Sequence, residues 1–219
     1  MSKIYIYVVV RDFGFAPNPF HGYCTLATCK PKIRNSAEVK DWVIGMGGCM
    51  DSSRVNATGR CIFAMHITEK ITFNEYWTNP IFLDKKPIRN GSQKMMVGDN
   101  IYYHDSSSNE WSQADSHHSM ADGSVNLDNL NKDTSSKNVL ISQHFLYFGR
   151  EAPVVPHELL NTIGYKNRIG HRVFNENTTG VRTLIDWLYS QGSLNQVISD
   201  PFDFSDSEKR YSVNDNKIS

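Results

Sequence analysis

The sequence predicts an α+β fold: a strongly curved mixed β-sheet or small β-barrel with a few short helices and one longer C-terminal helix. Three observations carry this. Short runs rich in β-branched and aromatic residues recur along most of the chain. Helical patterns are brief and sit at connections, except for one clear amphipathic helix near the end. Strict alternation of strand and helix is absent, which disfavours a doubly wound dinucleotide-binding domain.

The elements follow in order. Lys3 to Val10 is apolar with little alternation, the pattern of a strand covered on both faces. It is too short for a membrane span and runs directly into Arg11 and Asp12, so neither a signal peptide nor a membrane anchor is expected. Asp12 to Tyr23 holds prolines, glycines and three phenylalanines, which forbids a helix and marks a loop of the kind that lines pockets. Cys24 to Cys29 reads as a short strand, Lys30 to Arg34 as a compact basic turn, and Asp41 to Gly45 as a strand entering a glycine loop. Arg60 to Thr72 carries the clearest alternation, through Cys61, Phe63, Met65, Ile67 and Ile71. Phe73 to Trp77 makes a short helix, Lys85 to Lys94 a basic loop, and Met95 to His104 a strand. Residues 105–136 form a polar excursion with few apolar anchors. Val139 to Phe148 restores a strand, His157 to Asn161 a helical turn, and Val181, Leu184, Ile185 and Leu188 stripe the best helix, capped by Thr178 or Thr179. The organisation expected is one domain over residues 1–199 and a loosely ordered acidic tail over 200–219.

Composition narrows the function. The 219 residues carry 23 basic and 23 acidic side chains, so a strong sequence-independent grip on a phosphate backbone is not encoded in bulk charge. Cys24, Cys29, Cys49 and Cys61 show no C-x-x-C or zinc-finger spacing and read as reduced thiols of a cytoplasmic protein. Dinucleotide, P-loop and H-E-x-x-H motifs are absent, and no cofactor or resident metal is expected.

Five segments together resemble one family. They are Phe15-Ala-Pro-Asn-Pro-Phe-His-Gly-Tyr-Cys-Thr-Leu-Ala-Thr-Cys-Lys-Pro31, Asp41-Trp-Val-Ile-Gly45, Phe63 to Glu69 with Glu75-Tyr-Trp77, Asn138 to Ser142 with Tyr147-Phe-Gly149, and Gly170-His-Arg172. The family is that of the nucleotide modification associated domain 2, and the first block is the specific one. The resemblance implies a bacterial or phage setting beside enzymes that modify nucleic-acid bases. A second, pattern-level likeness is to PUA, EVE and ASCH barrels, which hold RNA or modified bases in an aromatic cleft.

The candidate site follows from base chemistry. Recognition of a base needs flat apolar surfaces for stacking and a few polar groups for its edge. Phe20, His21, Tyr23 and Cys24 in the aromatic turn, with Lys30 and Arg34 for phosphates, offer both; Trp42, Tyr103, His171 and Arg172 are added as ligand-binding candidates. Cys24 and Cys29 are candidate nucleophiles, with His21 and His171 as candidate partners. His117 and His118, with Asp115, Asp122 and Asp133 nearby, are weighed as metal or proton-transfer groups against a solvated surface pair, which is preferred. The sequence favours a module that binds a modified base or nucleotide in an aromatic cleft. An enzyme of a base-modification pathway using Cys/His chemistry is the alternative, and a scaffold for a partner enzyme is the third reading.

Overall fold

The computed structural model describes residues 2–105 and 107–218, and these divide into two compact units. The first comprises residues 1–12, 37–69 and 142–203; the second comprises 13–36, 70–141 and 204–219. Each unit is therefore assembled from segments distant in sequence.

The first unit is a mixed six-stranded sheet in the order β10-β1-β3-β4-β9-β11. Its strands are β1 (Lys3–Val9), β3 (Trp42–Gly47), β4 (Cys61–His66), β9 (Phe145–Tyr147), β10 (His171–Asn175) and β11 (Gln196–Val197). β1 lies parallel to β3 and antiparallel to β10, with Ile4 opposite Trp42 and Phe174. Ile4, Ile6, Val43, Ile44, Phe63, Met65 and Leu146 are all at most 1% exposed, the near-continuous burial that the unalternating sequences require. Helices α5 (His157–Thr162) and α6 (Val181–Ser190) belong to this unit, and α6 buries Val181, Leu184 and Leu188 from its apolar stripe. Its N-cap is Gly180, not Thr178 or Thr179; at φ 86° the chain enters the helix from the left-handed region, which glycine reaches without strain. The sheet is open, with β10 and β11 as its edges, so among the described residues no barrel closes.

At the end of β1, Asp12 binds the chain near residue 202. Its carboxylate accepts from the Phe202 amide at 3.0 Å and from the Tyr147 hydroxyl, while its own amide donates to Asp203 Oδ2 at 3.0 Å. Residues 200–203 are thereby held by buried polar bonds.

The second unit contains a three-stranded sheet, β2 (Cys24–Leu26), β8 (Asn138–Ser142) and β5 (Glu69–Thr72), a ribbon of β6 (Tyr102–His104) and β7 (Trp111–Gln113), and a terminal hairpin, β12 (Tyr211–Ser212) with β13 (Lys217–Ile218). Its helices are α1 (Pro31–Ser36), α2 (Phe73–Thr78), α3 (Gln93–Met96) and α4 (Leu127–Thr134). α2 starts with a capping box in which Thr72 and Glu75 bond each other's backbone amides. Phe13, Phe15, Phe20, Phe73, Tyr76, Phe82, Tyr102, Leu130 and Phe204 share its core.

Several boundaries differ from the sequence reading. The alternating run 60–72 is two strands, β4 and β5, in different sheets. The polar excursion contains β7 and α4, and His117 and His118 within it are 3% and 2% exposed. It folds by satisfying polar groups internally where apolar anchors are few. The terminal residues form a hairpin whose Tyr211 amide donates to the His117 carbonyl at 2.8 Å.

Gly45 stands opposite Phe63 in the β3–β4 register, and a Cβ placed there would lie 2.1 Å from Phe63 Cε1 and 2.8 Å from Val9 Cγ2. The Gly45→Ala variant should unfold at lower urea, by about 1–3 kcal/mol, since the ring must be displaced in a filled core.

Candidate functional site

The site lies in the second unit, where β2 ends and α1 begins. Residues 27–30 turn sharply between these elements, and Cys29 and Lys30 both occupy the left-handed region, at φ 53° and 41°. Two consecutive side-chain-bearing residues in that region are strained, and such strain persists only where surrounding bonds enforce it. They do so here. The Cys29 amide donates to Asp133 Oδ1 at 2.8 Å, and the Cys29 carbonyl accepts from Arg34 Nε at 2.9 Å.

The Cys29 thiol, half-buried, lies 3.7 Å from His118 Nε2. His118 Nδ1 donates to Asp133 Oδ2 at 2.8 Å, and the Tyr102 hydroxyl donates to the same oxygen at 2.9 Å. The imidazole is thus oriented from one side by a carboxylate while its other nitrogen faces the sulfur. Burial works against a charge on His118, but Asp133, followed by Cys29, outweighs it and lifts the imidazole to about 10. Asp133 is itself opposed by burial, yet His118 and Arg34 hold it below the usual carboxylate range. At neutral pH the pair is an imidazolium and a carboxylate.

Each partner is placed by local structure. α4, capped by Asn126, carries Asp133 in its last turn. The ring of His118 lies 4.7 Å from that of Phe15 and 5.5 Å from that of Tyr211. The His118 carbonyl accepts from Gln113 Nε2 at 3.0 Å and Asn129 Nδ2 at 2.8 Å. Arg34, fully buried, donates to the carbonyls of Cys29, Asp133, Ser136 and Asn138. It ties α1 to the end of α4 and the start of β8.

One thiol, one imidazole and one carboxylate within 4.8 Å are also donor types that zinc accepts. The hydrogen-bonded order argues for another use. An ion joining all three would disrupt the 2.8 Å bond between Nδ1 and Oδ2 that the buried charge pair needs.

The other sequence candidates are dispersed. Phe20 is 3% exposed and packs on Phe204 with ring centroids 5.4 Å apart, so it is core and not a stacking surface. Cys24 is fully buried, and burial pushes its thiol up to about 12, which makes it inert. Arg34 reaches carbonyls and not phosphate, because its guanidinium has no exposure. Trp42 is 6% exposed in the first unit, among His66, His144 and Tyr189. His171 and Arg172 lie half-buried on β10 in that unit, and Arg172 Nη1 donates to the His171 carbonyl at 3.0 Å. His21 is exposed at φ 59°, Tyr23 sits edge-on to Phe82 at 5.2 Å, and Tyr103 stacks on Trp77 at 4.1 Å. Lys30 is half-buried beside Cys29. Lys85, expected in a solvated basic loop, is 1% exposed and donates to Asn18 and Tyr23; burial brings its ammonium down to about 8.

The nucleophile candidate Cys29 is met by an imidazole, and that imidazole belongs to His118. The sequence signal was present in the adjacent His117-His118 pair, but its polar surroundings read as solvated. Buried glutamine, asparagine and serine partners, invisible to a hydropathy pattern, are what enclose it.

Cys29, His118 and Asp133 thus stand as a thiol, an imidazole and a carboxylate hydrogen-bonded in sequence. The family model for nucleotide modification associated domain 2 matches residues 1–208, and the chain belongs to that family. No curated protein and no solved structure matches it. Among the described residues, no helix is long and apolar enough to cross a membrane.

Two outcomes follow. His118 gains a proton affinity on folding, from an ordinary 6.5 to about 10, so its contribution to stability is complete below pH 6.5 and lost as pH rises through 10. Thermal melts between pH 6 and 10.5 should therefore show an alkaline loss of Tm that is reduced in Asp133→Asn relative to wild type. Arg34→Ala strands four carbonyls, two of them in fully buried bonds, and removes a cation near Asp133; it should cost about 3 kcal/mol or more by urea denaturation.

Proposed function

We propose that this protein is a nucleotide-modification enzyme that works through covalent catalysis by Cys29. The observation that carries the reading is the relay of Cys29 Sγ, His118 and Asp133, at 3.7 Å and 2.8 Å. Asp133 fixes the ring and keeps it protonated, and an imidazolium beside a sulfur is the counter-charge that a thiolate nucleophile needs. The left-handed turn at Cys29 and Lys30 is held by bonds from both Asp133 and Arg34, the overdetermination expected where strain positions a reacting atom.

Family membership supplies the setting. The substrate in this reading is a nucleotide, free or within nucleic acid, and the partners are enzymes acting before or after it on the same base. Lys30, half-buried next to the nucleophile, is the proposed phosphate contact, and His21 and Tyr23 flank the entry to β2. Recognition of a base, the role favoured by the sequence, becomes in this reading the binding step of a reaction.

The test is a nucleoside mass profile of DNA and RNA from cells carrying wild-type protein or Cys29→Ser, with His118→Gln as the milder lesion. A modified nucleoside should disappear with Cys29→Ser and fall about 10²–10⁴-fold in rate with His118→Gln. Identical profiles for wild type and Cys29→Ser, with both folded, would remove the enzyme. Binding without turnover would then be read from a Tm shift on adding nucleotides.

A further inference from the structure

We infer that the substrate of Cys29 is the C6 position of a pyrimidine ring and not an acyl group. This rests on the nucleophile reading above and narrows it. Acyl transfer places a negative charge on an oxygen one bond from the attacked carbon, and enzymes meet it with two preorganised donors, commonly including a backbone N–H at the nucleophile. Here several nearby donors are engaged by the protein itself. The Cys29 amide is bonded to Asp133 Oδ1 at 2.8 Å. Gln113 Nε2 donates to Tyr102 Oη and the His118 carbonyl, and Asn129 Nδ2 to the carbonyls of His118 and Tyr211, so both hydrogens of each amide are occupied. Arg34 has no exposure and directs its guanidinium at four protein carbonyls. Releasing the Cys29 amide for an oxyanion would leave one oxygen of a fully buried carboxylate short of a donor.

Addition to a pyrimidine makes a different demand. The sulfur bonds to C6, and the C5=C6 pair moves onto C5 and O4 of a uracil or onto C5 and N3 of a cytosine, so no oxyanion forms one bond from the attacked carbon. What is needed near the sulfur is a proton for C5, which is adjacent to C6, and His118 carries one on Nε2 at 3.7 Å from Sγ. Addition, protonation at C5, loss of the original C5 hydrogen to water and expulsion of the thiolate restore the ring. That cycle exchanges the C5 hydrogen with water and needs no further reactant.

The experiment uses the full chain with deoxyuridine and deoxycytidine monophosphates, free and in oligonucleotides, tritiated at C5. Tritium should pass to water with wild-type protein and fall to background with Cys29→Ser. The parallel arm offers acyl substrates, glutamine and p-nitrophenyl acetate. Cys29-dependent turnover there without tritium release would overturn the pyrimidine assignment and leave the nucleophile intact. If no substrate in either arm depends on Cys29, and iodoacetamide labels Cys29 no faster in wild type than in the His118→Gln variant, the nucleophile reading falls as well.

Discussion

The carboxylate of Asp133 is 1% exposed and ionised, and a charge so placed requires compensation on every side. It receives the Cys29 amide on one oxygen, and His118 Nδ1 and the Tyr102 hydroxyl on the other. The left-handed turn, the orientation of the imidazole and the depth of Tyr102 in the core are all conditions of keeping that charge. The second unit is organised to meet them. α4 presents the carboxylate, the 27–30 turn presents the amide, and the excursion that looked structureless in composition presents the imidazole.

Arg34 solves a related problem by the opposite charge. Its donors satisfy carbonyls at the end of α4, at the start of β8 and at Cys29, where backbone groups would otherwise lie buried and unbonded. Burial lowers its proton affinity while Asp133 and Cys29 counter that, so the cation also balances the anion at the site. Lys85 and Asp99 repeat the arrangement elsewhere in the same unit. Tyr76 and Thr25 donate to Asp99, burial brings the carboxyl up to about 6 with Lys85 opposing, and Lys85 closes the aromatic turn through Asn18 and Tyr23. A unit with short strands and brief helices is held in this way by buried polar bonds as much as by its phenylalanine cluster.

Much of the fold was legible before any coordinates. The apolar run of β1, the short helix α2 and the stripe of α6 are local patterns, and hydrophobic period determines them within a few neighbouring residues. The run from 60 to 72 shows the limit: its alternation predicts extended backbone correctly but cannot say that β4 and β5 join different sheets, since pairing depends on strands remote in sequence. The aromatic turn likewise announced an unusual loop, yet Phe20 turned inward against Phe204, nearly the whole chain away.

What the sequence determined by itself was the α+β class, the position of most elements, family membership and Cys29 as one of two candidate nucleophiles. The tertiary structure decided the surroundings of those two. Burial silences Cys24, while Cys29 gains its partners from positions 118 and 133, brought to it by a carboxylate whose ionisation is sustained by donors that converge on it from three separate segments. Hydropathy reads such polar residues as surface, because transfer from water is unfavourable for each of them alone and becomes tolerable only when they are buried together.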